Sequence, residues 1–77
     1  MDRGRFLRTL HIMGYKKCGE NSWKYSFDWL TVSIKLIITV KIINDYDIRV
    51  EELYTDDVNN PTITEFRDYQ ECIDYLS

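Results

Sequence analysis

Strict alternation of apolar and polar side chains marks the middle of the chain. From Leu30 to Ile43, every even-numbered position carries an apolar side chain. This period of two is typical of a strand with one buried face and does not fit a helix. Fourteen residues at about 3.3 Å each would extend for roughly 46 Å, so we expect one long strand that bends at a bulge. A tight turn near Asp28–Trp29 or Ile37 is the alternative.

Shorter alternating segments lie on both sides of this strand. Residues 15–18 and 22–27 flank a three-residue loop that contains glycine and asparagine, the pattern of a β-hairpin. Residues 44–47 hold three Asx side chains, which can bond their own backbone, so we expect a turn there. Residues 48–54 are predicted to return as a strand, and residues 56–61 to form a polar loop.

Helical spacing appears near both ends of the sequence. The predicted first helix covers residues 3–13, with Asp2 as its N-cap and Gly14 just beyond its C-terminus. Its apolar stripe consists of Phe6, Leu7, Leu10 and Met13. The predicted second helix has its apolar positions at Phe66, Tyr69, Ile73 and Leu76. Its start is open between two candidate capping boxes, Thr62–Glu65 and Asp68–Glu71.

These elements predict an α+β fold. We expect residues 1–77 to form one compact domain with the order α-β-β-β(-β)-α, in which both helices pack on one face of an antiparallel sheet of three to four strands. The buried set would combine Phe6, Leu10, Met13, the even-numbered residues of the long strand, Phe66, Ile73 and Leu76.

Composition agrees with a small globular protein. Apolar residues make up 44% and charged residues 30% of 77 residues, which is typical of a folded chain. A chain of this length buries only about 60% of its unfolded surface, which excludes a multi-domain enzyme with a deep cleft. The absence of alanine and the nine isoleucines suggest a coding sequence poor in G and C, as in many phages.

Charge is distributed unevenly along the chain. Residues 1–43 hold eight basic and three acidic side chains, a net charge of +5, whereas residues 44–77 hold two basic and ten acidic side chains, a net charge of −8. Such asymmetry indicates a charged partner, self-association, or two halves that neutralise each other within the fold.

The acidic half supplies the favoured binding site. Carboxylates spaced at i and i+2 along a strand lie about 6–7 Å apart, which could match the spacing of backbone phosphates. Such a surface would attract a basic, nucleic-acid-handling protein, and tyrosines are favoured at interfaces. The predicted partner-binding residues are Asp45, Tyr46, Asp47, Glu51, Glu52, Tyr54, Asp56 and Asp57. A metal site is not expected, because the acidic pairs lack a calcium-loop pattern.

The alternative is direct nucleic-acid binding by the basic, aromatic-rich N-terminal half. Basic side chains there alternate with tyrosine and tryptophan, a combination that can bind phosphates and stack on bases. The residues concerned are Arg3, Arg5, Arg8, Lys16, Lys17 and Lys24. The overall pI near 5.0 disfavours this alternative, because the net field repels a polyanion.

Catalytic chemistry finds little support in the sequence. His11 is expected to be a partly buried structural side chain, and Cys72 a buried thiol on the second helix. No phosphate-binding glycine loop or C-x-x-C pair is present. We therefore expect no enzyme activity, catalytic residue, metal or cofactor.

The remaining expectations concern location and partners. The longest uncharged apolar run, residues 36–40, is far shorter than the roughly 20 residues that span a bilayer, so no membrane association is expected. We expect a cytoplasmic protein with reduced thiols, acting in the host cell if a phage encodes it. A homodimer through the edge of the long strand is also expected. The small size, acidic half and lack of catalytic groups resemble those of anti-CRISPR and other anti-defence inhibitors.

Overall fold

A computed structural model describes residues 1–28, 31 and 33–77. Five antiparallel strands form one sheet in the order β1-β2-β3-β4-β5, so each strand pairs with its neighbours in the chain. Two helices complete the α+β fold, and the predicted fold class is confirmed, with five strands in place of three or four. The elements are α1 (Arg3–Ile12), β1 (Lys16–Gly19), β2 (Ser22–Asp28), β3 (Lys35–Asn44), β4 (Asp47–Tyr54), β5 (Thr62–Phe66) and α2 (Tyr69–Leu76).

Helix α1 begins and ends where its capping residues predict. The Asp2 side chain accepts a hydrogen bond of 2.8 Å from the backbone N–H of Arg5, which satisfies one of the free donors of the first turn. Gly14 follows the helix with a φ of 96°, a conformation that glycine adopts at little cost. The chain then turns into β1, and the backbone N–H of Tyr15 donates to the carbonyl of Leu10.

The expected long strand is shorter than the alternation predicts. Strand β3 begins at Lys35, and Thr31, Ser33 and Ile34 lie outside any strand. Leu30 and Val32 fall outside the described residues. The single bent strand over residues 30–43 is therefore wrong at its start. The pairing explains this limit, because Asp28, the last residue of β2, lies opposite Lys35.

The segment before α2 is a strand that the sequence analysis missed. Residues 62–66 form β5 and pair with β4, with Thr64 opposite Val50. Thr62 therefore starts a strand, and the candidate helix start at Thr62 is wrong. The Asp68 side chain caps α2 by accepting a hydrogen bond of 2.7 Å from the backbone N–H of Gln70, which confirms the second candidate.

The core lies between the two helices and one face of the sheet. Val40 pairs with Val50 and Ile42 with Ile48, and all four side chains are buried. The helices contribute Phe6, Leu10, Tyr69, Cys72 and Ile73, and Tyr15 and Trp23 complete the buried set. Each large side chain buried in this way stabilises the fold by about 1.5–3 kcal/mol.

Some of the predicted core residues lie at its margin. Met13, Phe66 and Leu76 are half-buried, because they lie at the end of α1, on an edge strand and in the last turn of α2. Leu36 and Ile38 are also half-buried, whereas Val40 and Ile42 are buried.

The opposite face of the sheet, here called the open face, carries charged side chains. Lys41 and Glu51 approach to 3.9 Å, and Arg49 lies 3.3 Å from Asp47 and 3.5 Å from Glu65. Of these pairs, Lys41–Glu51 joins the basic half of the sequence to the acidic half, whereas Arg49 neutralises acids within its own half. Strand β3 lies between β2 and β4, so the edge expected for a homodimer is occupied, and the free edges belong to β1 and β5.

Candidate functional site

The predicted acidic residues of β4 lie on two faces of the sheet. Glu51 and Glu52 are consecutive in a strand, so their side chains point in opposite directions. Glu51 pairs with Lys41 on the open face, and Glu52 accepts a hydrogen bond from the Tyr75 hydroxyl on the face that carries the helices. Asp56 and Asp57 follow beyond the end of β4. The predicted acidic residues therefore do not form a single line of carboxylates, because Glu51 and Glu52 lie on opposite faces of the sheet.

Three more of the predicted residues lie in the turn between β3 and β4 and at the first position of β4. The backbone N–H of Tyr46 donates to the Asn44 side chain at 2.8 Å, which is the expected Asx turn. The side chain of Tyr46 is 79% exposed, so it is available to a partner. Asp47 pairs with Arg49, whereas Asp45 accepts a hydrogen bond of 2.7 Å from the Tyr69 hydroxyl.

Helix α2 adds acidic residues that the sequence analysis did not select. Asp68, Glu71 and Asp74 recur every third residue and are exposed, while Cys72 and Ile73 are buried. At 100° per residue, this spacing places the three carboxylates on the solvent side of the helix. The signal was present in the sequence as acids between the apolar positions of an amphipathic helix.

Two tyrosines connect α2 to the acids of the turn and of β4. Tyr69, at the start of the helix, donates to Asp45, and Tyr75, near its end, donates to Glu52. Five carboxylates therefore belong to the helix or lie against it. We call this set the α2 acidic surface: Asp45, Glu52, Asp68, Glu71 and Asp74.

Both connecting phenols are held in their neutral, donating form. Burial, and then the hydrogen bond to Asp45, raise the pKa of Tyr69 to about 12. The hydrogen bond to Glu52 is the main reason that the pKa of Tyr75 is also raised. The two hydrogen bonds therefore persist throughout the neutral pH range.

The α2 acidic surface differs from the open face in its ion pairing. Within residues 1–28, 31 and 33–77, its five carboxylates have no lysine or arginine within ion-pair distance. The acids Asp47, Glu51 and Glu65 each have a cationic partner on the open face. Unpaired like charges on one surface create a negative potential that extends into solvent.

The predicted basic residues divide between α1 and the first hairpin. Arg3 donates to the Asn21 side chain at 2.9 Å, and Arg5 and Arg8 are exposed on α1. Lys16 of β1 lies directly opposite Lys24 of β2, and the ammonium nitrogen of Lys17 lies 5.9 Å from the centroid of the Trp23 ring. The register places Lys16 and Lys24 on one face of the sheet and Lys17 on the other, so the three ammonium groups do not converge. A shallow cavity of about 360 Å³ at this edge is lined by Gly14, Lys16, Lys17, Cys18, Lys24, Tyr25 and Ser26.

The groups considered for catalysis, His11 and the two cysteines, differ in their exposure to solvent. His11 is exposed on α1, so the expectation that it is partly buried is wrong; the buried stripe of α1 consists of Phe6 and Leu10. Cys18 is exposed and Cys72 is buried as predicted, and burial raises the pKa of the Cys72 thiol to about 12. A thiol with this pKa is a poor nucleophile at neutral pH.

Among the described residues, no three His, Cys, Asp or Glu side chains converge as a metal ion would require. Neither helix in the described part is long and apolar enough to cross a membrane. The chain matches no protein-family model, no curated protein and no solved structure.

Proposed function

We propose that this chain is a non-enzymatic binding protein that occupies a basic surface of a nucleic-acid-handling partner. The observation that supports this proposal is the α2 acidic surface, whose carboxylates have no lysine or arginine within ion-pair distance among the described residues. Arg3 lies beside the Tyr69 hydroxyl that bonds Asp45, so Glu71 and Asp74 are the carboxylates best placed to meet a partner. Carboxylates arranged on a rigid helix attract a surface built to bind phosphates. Asp45 and Glu52 belong to the acidic set expected from the sequence, and α2 supplies the other three.

The neighbouring aromatic residues fit a binding role. Tyr46 is 79% exposed in the turn beside Asp45, and Tyr75 is 46% exposed on α2. Tyrosine offers a large rigid contact area with a polar end, which makes it a frequent anchor at the centre of interfaces. A partner that covers α2 could therefore bury aromatic surface as well as neutralise charge.

The finer form of this proposal is an inhibitor of the anti-CRISPR or other anti-defence type. Small size, an unpaired acidic surface and a phage-like composition support it. The inhibitor would act in the cytoplasm of a host cell, where it would compete with nucleic acid for a basic channel. Such competition depends strongly on salt, because both ligands bind through charge.

Charge reversal on α2 tests the proposal. The immobilised protein is used to capture proteins from a bacterial lysate, and each captured protein is challenged with DNA and with increasing salt. A Glu71→Lys/Asp74→Lys variant should lose capture, whereas Glu20→Lys/Asp28→Lys, which changes the net charge equally at exposed sites outside the acidic half, should retain it. The Asp68 cap remains intact in both variants.

Two outcomes of the capture experiment would refute the proposal. Capture that is insensitive to salt and to DNA would refute occupation of a nucleic-acid site, even if the captured partner were genuine. If both variants lost capture equally, the net charge of the protein would determine binding, and the α2 acidic surface would not be the binding site.

Homodimerisation remains a prediction that a separate measurement can test. Among the strands of the described residues, the free edges are those of β1 and β5, so a dimer that extends the sheet would use one of them. Sedimentation at micromolar concentration should return twice the mass of 9.3 kDa if such a dimer forms, and the single mass would refute it.

A further inference from the structure

Glu52 differs from the other members of the α2 acidic surface in its burial. Its side chain is half-buried, whereas those of Asp45, Asp68, Glu71 and Asp74 are exposed. Among the described residues, no lysine or arginine lies within ion-pair distance of Glu52. Removing a carboxylate from water is unfavourable unless hydrogen-bond donors or a cation replace the water. A cation that reached Glu52 would therefore supply the charge that its surroundings lack.

Two tyrosines lie beside the Glu52 carboxylate. Tyr75 of α2 donates a hydrogen bond to its Oε1 atom, and Thr64 of β5 bonds the Tyr75 hydroxyl in turn. Tyr54 follows Glu52 by two residues in β4, so the two side chains leave the same face of the sheet. Tyr54 is also close enough to Tyr75 to contribute to the raised pKa of Tyr75. Glu52, Tyr54 and Tyr75 therefore form one cluster.

Apolar side chains continue this cluster across the sheet. Ile38 of β3 lies directly opposite Glu52, and Tyr25 of β2 lies opposite Ile38. In the next row of the same face, Leu36 lies opposite Tyr54. Ile38, Tyr25 and Leu36 are half-buried, and Tyr54 is 44% exposed. Solvent therefore reaches an apolar, partly aromatic surface that has one carboxylate beside it.

The combination of one carboxylate with aromatic rings fits a guanidinium group. The N–H groups of arginine form a planar fork that matches a carboxylate, and the flat faces of the group stack on aromatic rings. Glu52 accepts from Tyr75 at Oε1, and a carboxylate can accept further bonds at its second oxygen. The methylene groups of arginine can cover Ile38 while the charged end lies at Glu52. An apolar side chain fits less well, because it would bury the carboxylate further without supplying a charge.

We propose that Glu52, Tyr54 and Tyr75 form a binding site for an arginine side chain of the protein partner. This inference rests on the proposed function, because it names the group that a basic partner places against the α2 acidic surface. Glu71 and Asp74, on the solvent side of α2, attract a basic surface over a distance. Contact at Glu52, in contrast, requires one side chain of defined shape. Arginine is a frequent anchor at interfaces and is favoured on surfaces that bind phosphates.

An NMR titration with Nα-acetyl-arginine methylamide tests the site without the partner. The backbone amide signals of Ile38, Glu52 and Tyr54 report whether the site is occupied. The citrulline derivative has the same length but no charge, and the lysine derivative carries the charge without the planar fork. We expect the arginine derivative to bind roughly tenfold more tightly than the citrulline derivative and roughly threefold more tightly than the lysine derivative.

Substitutions at the cluster identify which groups bind the guanidinium. Glu52→Gln should weaken arginine binding roughly tenfold, and its amide oxygen can still accept the hydrogen bond from Tyr75. Glu65→Gln is the matched control, because it makes the same change in net charge at an acid paired with Arg49 on the open face. Tyr54→Leu should weaken binding roughly threefold, whereas Tyr54→Phe, which keeps the aromatic ring, should leave it unchanged.

Three outcomes of the titration would overturn this inference. The first is equal binding of the arginine and citrulline derivatives. The second is equal weakening by Glu52→Gln and Glu65→Gln. The third is the absence of saturable changes in the three amide signals up to about 50 mM of the arginine derivative.

The capture experiment separates this inference from the proposed function. If Glu71→Lys/Asp74→Lys loses capture but Glu52→Gln captures as well as the unaltered protein, the proposed function holds and the arginine site is wrong. If the arginine derivative binds as expected but capture is insensitive to the substitutions on α2, the cluster binds arginine and the proposed function is wrong.

Discussion

The Tyr69 hydroxyl fastens the start of α2 to the turn between β3 and β4, and Tyr69→Phe removes that hydroxyl alone. The ring remains packed on Phe6, with 4.7 Å between centroids. The lost hydrogen bond measures 2.7 Å and has a carboxylate acceptor, and such bonds contribute about 1.5–3 kcal/mol. Asp45 is exposed and regains water, so we expect a loss of about 1.5 kcal/mol. In a domain of this size, that loss lowers Tm by roughly 6–12 °C.

Urea unfolding followed by circular dichroism measures this loss. A double-mutant cycle of Tyr69→Phe with Asp45→Ala should give a coupling energy of about 1 kcal/mol. Tyr75→Phe is the matched control, because its hydroxyl bonds Glu52 at an exposed site, and it should cost only about 0.5 kcal/mol. The hydroxyl of Tyr69 does not hold α2 in place if the free energy of unfolding of Tyr69→Phe lies within about 0.3 kcal/mol of that of the unaltered protein. The same conclusion follows if Tyr75→Phe loses more stability than Tyr69→Phe.

Three further predictions follow from the caps, the glycines and the buried thiol. Gly14→Ala should destabilise the fold by about 1–3 kcal/mol, because the φ of Gly14 is 96°. The control Gly4→Ala, in α1, should stabilise the fold by about 0.5–1 kcal/mol in the same urea assay. If Gly4→Ala destabilised the fold more than Gly14→Ala, this reasoning would be wrong. Asp68→Ala should cost about 1 kcal/mol through the lost cap of α2, and no change in Tm would show that the cap is dispensable. Burial raises the pKa of Cys72 from 9.0 to about 12, so above pH 9 the unfolded chain loses a proton that the folded state keeps. Between pH 9 and pH 10, stability should then fall by up to about 1.4 kcal/mol. Above pH 10 the fall should be steeper, because the pKa values of Tyr15 and Tyr69 are raised to about 12 as well, and a urea midpoint that stays constant from pH 9 to about pH 11 would refute this.

Most helices and strands could be identified from the sequence, but their first and last residues were harder to predict. Asp2 and Asp68 marked both helices, because capping is a local interaction between a side chain and the next few backbone groups. Alternation of side chains continues through a residue whether or not another strand pairs with it, so it could not show that β3 starts at Lys35. Thr62–Phe66 is too short for periodicity to separate a strand from the first turn of a helix. Only its pairing with β4 decides.

The candidate site was predictable in part. The opposite directions of Glu51 and Glu52 follow from strand geometry alone, and an acidic C-terminal half is visible in the charge count. The part that was not predictable is the position of Asp45 and Glu52 in the α2 acidic surface, because it requires Tyr69 and Tyr75 to bring them against the helix. Those contacts join residues 24 and 23 positions apart in the chain.

The order β1-β2-β3-β4-β5 determines when the molecule can finish folding. Every strand pairs with its predecessor, so the sheet can grow by successive hairpins as the chain lengthens. The core closes later, because Phe6 of α1 packs on Tyr69 of α2, and Cys72 and Ile73 are buried in the same cluster. During synthesis, the nascent chain therefore exposes the apolar face of its sheet until residues 69–76 have left the ribosome. Chaperones that recognise apolar surface have access to it throughout that interval.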